Sequence, residues 1–153
     1  MSSGNPQDSS RERLRLWLRL LSTTRGVEAQ LRERLRTEFG STLPRFHVLA
    51  ALSRHPDGLK MNEVSQQLKV SNGNVTGVVS RLVRDGLVER FAIEGDRRAI
   101  RIALSDAGQD QFTSMATAHK EWVNNLLSHI SADTAHHMSE LLAHLPNDPG
   151  EHG

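Results

Sequence analysis

Cysteine and tyrosine are absent from the 153 residues, and the aromatic side chains amount to four phenylalanines and two tryptophans. Without cysteine there is no disulfide framework, no thiolate metal site and no cysteine redox switch. No apolar run approaches the roughly 20 residues that a bilayer span requires. The opening MSSGNPQDSS lacks the charged-then-apolar layout of a secretory signal. Neither sign of charge dominates: 19 Lys+Arg against 18 Asp+Glu leave a formal net charge of +1. A basic site can therefore arise only from how the charges are distributed. Catalytic signatures are missing too, with no Gly-x-Ser-x-Gly elbow and no phosphate loop. The run Gly73-Asn-Val-Thr-Gly77 is no dinucleotide fingerprint, because it lies within a helical pattern that no strand precedes. These absences predict a cytoplasmic protein, with no membrane partner and no cofactor, that is not an enzyme.

What is present has a clear order. Residues 1–9 are small and polar and read as a disordered tail. From Ser10 to Phe39, Leu14, Leu18, Leu21, Leu31 and Leu35 recur at helical spacing, while Leu16, Trp17 and Leu20 make a second side apolar as well. Such a helix must bury more than one neighbour can cover. Gly40 is a stop signal. Thr42 is placed to cap a helix over 43–55, with Pro44 in its first turn and Phe46, Leu49 and Leu52 facing inward. His55-Pro-Asp-Gly58 is turn chemistry. A short helix over 62–68 and a tight Lys69-Val-Ser71 connection follow. Ser71 is a suitable cap for a helix running to Arg84 and closed by Asp85-Gly86. LVERFAI (87–93) and AIRIAL (99–104) read as a hairpin with GDR at its tip. Ser105 caps a long helix to about His129, and a last helix spans about 132–145. The fold class predicted is mainly α, an α+β winged helix: a helix-turn-helix and β-wing over 43–104, helices over 10–42 and 105–145 on either side, and a flexible tail over 146–153.

The helix over 71–86 carries the most specific signal. Val75, Val78, Val79 and Leu82 form one face; Gly73, Gly77, Ser80 and Arg84, flanked by Asn74, Thr76 and Arg81, form the other. That outer face holds no carboxylate, whereas a merely solvated face mixes Glu with Lys. Amide, hydroxyl and guanidinium groups are the chemistry that reads base edges and phosphates. The two glycines are poor helix formers, and they make sense if the backbone must come close to something. The plainer alternative is an ordinary surface helix. In the hairpin, Arg97 and Arg98 are expected at the tip, where guanidinium groups enter a narrow minor groove or clamp phosphates. Asp96 is expected to orient an arginine by a charge-assisted hydrogen bond, and Arg101 to reach a phosphate or pair within the protein.

From LPRFHVLAALSRHPDG through DGLVERFAIEGDRRAIRIALSDAG the chain resembles the MarR family of winged-helix transcriptional regulators. The family's Asp-x-Arg-x wing signature is matched by Asp96, Arg97, Arg98 and Ala99, and its Leu-Thr-x-x-Gly start of the fifth helix by Leu104-Ser105-Asp106-Ala107-Gly108. The resemblance implies a homodimer in which the first and last helices interlock, with two recognition helices in successive major grooves of a pseudopalindrome of double-stranded DNA. It implies Ser71, Asn72, Asn74, Thr76, Gly77, Ser80 and Arg81 as recognition-helix contacts, and Arg97 and Arg98 as wing contacts. The stretch MNEVSQQLKVSNGNVTG looks like a subgroup that controls breakdown of aromatic acids, hydroxycinnamates included, some of whose members respond to aryl-CoA thioesters. In the family's ligand crevice Trp17, Arg19, Arg25, Phe46, His47 and Phe112 are candidates, since an aromatic acid needs apolar walls and a cation. For Trp17 and Phe46 plain dimer packing is the favoured alternative, because aromatics at helical spacing are more often packing.

Two other readings stand beside this one. Asp133, His137, Glu140 and His144 form a stripe on the last helix that suits zinc-binding donor types, but one helix supplies too few ligands, so a solvated face and no metal site are expected. A winged domain can also serve protein contacts alone, in which case DNA would not bind with steep salt dependence.

Overall fold

The computed structural model describes residues 6–68 and 72–146, with the side chains of residues 72, 97 and 98 outside that description. Among the described residues six helices and three strands run in the order α1 (Pro6–Phe39), α2 (Leu43–Ser53), β1 (Leu59–Lys60), α3 (Met61–Leu68), α4 (Asn72–Arg84), β2 (Val88–Ile93), β3 (Asp96–Leu104), α5 (Asp106–Leu126) and α6 (Ala132–Ala143). Helix α1 starts earlier than its apolar pattern, because Pro6 and Asp8 are residues that suit a helical first turn. It ends at Gly40, whose φ of 58° lets the chain turn while its N–H and that of Ser41 bond back to Arg36 and Leu35 carbonyls. Thr42 accepts a hydrogen bond from the Arg45 N–H and Ser105 one from the Gly108 N–H, as N-caps do.

The core lies where α2, α3, α4, the sheet and α5 meet. Leu49 and Leu52 of α2, Val64 of α3, Val75, Val79 and Leu82 of α4, Val88 and Ile102 of the wing and Met115 of α5 are all but fully buried there. Each such side chain contributes about 1.5–3 kcal/mol by leaving water. Leu31 and Leu35, with Phe39 against Trp122 at 6.1 Å between ring centroids, fasten the second half of α1 to this core. The first half has no such cover: Leu14, Trp17 and Leu18 are 55–57% exposed. Helix α6 buries no residue at all.

The sheet has order β1-β3-β2, all antiparallel. Strand β1 adds a third member to the expected hairpin. It is two residues long, paired Leu59 to Ile102 and Lys60 to Arg101, too short to leave a periodic trace in sequence. The wing tip also differs from expectation. Its turn is Glu94-Gly95, with Gly95 at φ 86°, and β3 already begins at Asp96. Arg97 and Arg98 are therefore not in the turn. Ile93 pairs with Asp96 and Ala92 with Ile100, so Arg97, Arg98 and Ala99 form a bulge just behind the tip. The left-handed residue sets the turn, and Gly95 takes that conformation one position before Asp96.

Candidate nucleic-acid interface

Helix α4 is oriented by the core it helps to build. With Val75, Val79 and Leu82 turned inward, Gly73, Asn74, Thr76, Gly77, Ser80, Arg81 and Arg84 are left exposed on the outer side. Ser71 and the side chain of Asn72 lie outside the described residues. Among the described residues a methyl group at Gly73 or Gly77 would meet nothing within 4 Å, so packing against them does not require either glycine. The C-terminal end of α4 is anchored by Arg45 of α2, whose Nη2 donates to Asp85 Oδ2 at 2.8 Å. A carboxylate just past a helix C-terminus is disfavoured by the helix dipole. Arg45, with its side chain only 19% exposed, supplies the counter-charge.

Two arginines of the wing strands have internal partners. Arg101 Nη1 donates to the Gly58 carbonyl at 3.1 Å, which ties β3 to the turn before β1. Arg90, on β2, donates from Nη2 to Ser80 Oγ at 3.0 Å. Sequence reasoning assigned nothing to Arg90, and one cue was available: it alternates with Val88, whose apolar side chain marks the strand face turned toward α4. Asp96 is exposed at the start of β3. The side chains of Arg97 and Arg98 lie outside the described residues.

Of the candidate ligand residues, three come together within the chain. Phe46 is buried between α2 and α5, with the Phe112 ring 5.9 Å away and His47 beside it at 6.2 Å. His119 joins them by stacking on Phe46 at 4.8 Å. It lies two helical turns beyond Phe112 on α5, a spacing that could have revealed it. Burial, and secondarily the nearby His47, hold the His119 imidazole below the ordinary histidine pKa. His47 also borders a cleft of about 410 Å³ between α2 and α4, walled by Pro44, Val48, Leu68, Val75 and Val78 and reaching Asn74 and Arg81. Trp17, Arg19 and Arg25 stand apart on exposed parts of α1. Among the described residues no group of three or more His, Asp or Glu side chains is arranged to hold a metal ion, and no helix is long and apolar enough to cross a membrane.

Residues 39–99 match the sequence profile of the MarR family. A MarR family transcriptional regulator from Silicibacter pomeroyi shares 35% identity with this chain, covering 89% of it and 94% of its counterpart, at a TM-score of 0.72. The chain belongs to the MarR family. The transcriptional regulator PecS of Dickeya dadantii is 31% identical over 109 residues, which are 67% of this MarR-family chain and 66% of PecS, just under two thirds of that relative's length. A mutant MarR of Escherichia coli, solved with operator DNA, shares the fold at a TM-score of 0.75 and 23% identity, over 88% of this chain and 96% of that one. The MarR family consists of transcriptional regulators.

Proposed function

We propose that this MarR-family chain is a homodimeric repressor that binds a pseudopalindromic operator and is released by a small aromatic acid or its CoA thioester. The observation that carries the DNA reading is the outer face of α4. It presents amide, hydroxyl and guanidinium groups without a carboxylate, and two glycines that no described neighbour requires. Asn74, Thr76, Gly77, Ser80, Arg81 and Arg84 would face the major groove, together with Ser71 and Asn72; Arg97 and Arg98 of the wing are the contacts proposed for the adjacent minor groove or its phosphates.

The unpartnered apolar surface supports a second copy. The first half of α1 and the whole of α6 bury nothing within the chain. Between α5 and α6 runs a groove of about 760 Å³ bordered by Val123, Leu127 and Ile130 together with Lys120, Glu121 and Asn124, which an amphipathic helix would fill. Exposed leucines and a tryptophan at helical spacing are costly in a monomer and ordinary in an interface.

For the effector, the support is the cleft between α2 and α4. Its walls are apolar, with His47 and Arg81 at the edge to meet a carboxylate or a thioester carbonyl. An acyl group held there would touch Asn74 and Arg81, residues also assigned to DNA. It would favour a dimer whose two α4 helices no longer match one helical repeat of roughly 34 Å. Fluorescence anisotropy on the DNA upstream of the protein's own gene, titrated with aromatic acids and their CoA thioesters, tests both parts. Tight, salt-sensitive binding relieved by one of these compounds is expected. Binding that none of them relieves would remove the aromatic effector, and no salt-sensitive binding would remove the DNA reading.

A further inference from the structure

The guanidinium of Arg90 bridges helix α4 and strand β2 of the wing. Arg90 follows Val88 by two residues on β2 and pairs across the ladder with the fully buried Ile102, so its side chain leaves the sheet on the face that looks toward α4. It crosses to Ser80, one turn before Arg84 on the exposed side of that helix, and donates to its hydroxyl at 3.0 Å. Serine is a neutral acceptor and occupies one of the five guanidinium donors. The ion pairs among the described residues are Arg15–Glu12, Arg34–Glu38, Arg36–Glu33 and Arg45–Asp85, and Arg90 is in none of them. Its charge is thus left exposed in the notch between helix and wing.

That notch has a definite place on DNA, if the reading above holds. Adjacent major and minor grooves are separated by one phosphodiester strand. A protein with a helix in one groove and a hairpin in the next must straddle that strand, and the residue at the bottom of the notch faces its phosphates. We infer that Arg90 is a DNA-contact residue of the interface, clamping the phosphodiester strand between the two grooves while its bond to Ser80 sets the angle between helix and wing. Ser80 accordingly acts as the support for Arg90 rather than as a free reader of base edges. A guanidinium suits the task, because its planar fork can bond to a phosphate and a hydroxyl at once.

The test uses the full chain on a mixed-sequence duplex of about 30 base pairs, three helical turns, with anisotropy read at several salt concentrations. Phosphate contacts report there independently of sequence. Arg90→Ala should weaken binding about tenfold and reduce the log–log salt slope by about two for a dimer, near one phosphate per protomer. Arg90→Gln, which keeps a donor for Ser80 but no charge, should lose the same slope without a change in thermal midpoint. Arg90→Lys should retain the slope. Wild-type slope in both neutral variants, while Arg98→Ala lowers it, would overturn the role of Arg90 and leave the DNA reading intact. A wild-type chain that binds no duplex would overturn both.

Discussion

The rings of Phe46 and His119 stack at 4.8 Å with an interplanar angle of 29°, which joins the helix-turn-helix to α5 through a group that titrates. Burial disfavours the imidazolium, and His47 adds repulsion of the same sign. A histidine whose folded-state pKa lies below its unfolded value binds fewer protons when folded. Its contribution to stability is therefore complete above the ordinary value of about 6.5 and is lost as pH falls through the lower, folded value. The urea midpoint of the wild-type protein should fall between about pH 7.5 and pH 5.5, a window that brackets that value. The fall should be smaller in His119→Gln. Equal falls would assign the acid sensitivity to other histidines.

Gly77 offers a way to separate folding from the proposed DNA recognition. It lies mid-helix in α4 with open space where a side chain would go. Alanine there should raise the unfolding free energy by about 0.5–1 kcal/mol, since it restricts the unfolded chain and favours helix. The same methyl group would stand between the helix backbone and the DNA. Gly77→Ala is expected to melt higher and to bind operator at least about tenfold more weakly, a loss of roughly 1.4 kcal/mol. A variant that melts higher with unchanged affinity would show that no close approach takes place at Gly77.

Gly108 has the opposite character. A Cβ built on it would fall 1.9 Å from the Leu87 carbonyl oxygen, and that oxygen accepts the Ser105 N–H at 3.1 Å. The start of α5 is thus packed directly against the backbone that leads into the wing. Gly108→Ala should cost about 2 kcal/mol or more by overpacking, visible as a lower denaturation midpoint. A midpoint at the wild-type value would mean that α5 can shift away from Leu87 at no cost.

Trp17 and Leu141, 56% and 57% exposed, test the proposed interface. Within one chain neither is part of the buried core, so Trp17→Glu or Leu141→Glu should do little to the fold of the winged region. In a dimer each would bury a carboxylate without a partner. Sedimentation velocity should show the monomer fraction rising at micromolar concentration, and operator binding should weaken in parallel. If both variants remain dimeric, the copies associate through other surfaces.

Helix positions were legible in sequence because their causes are local. The 3.6-residue spacing of Val75, Val79 and Leu82, the hydroxyls of Thr42 and Ser105, and Gly40 and Gly86 at helix ends act within a few residues of where they stand. The composition of the outer face of α4 was legible for the same reason, since burying one face of a helix decides which residues form the other. Long-range pairings left no such trace. Strand β1 exists only because β3 offers it an edge, and the position of the wing turn depends on which residue takes the left-handed conformation against a partner strand. Arg90 and Ser80 are ten residues apart, and His119 and Phe46 lie on different helices; each pair meets only because packing places their elements side by side. The sequence by itself determined the elements and the chemistry that each presents, while tertiary structure decided which side chains are held by neighbours and which remain exposed, because contacts between elements depend on packing that no short stretch of chain contains.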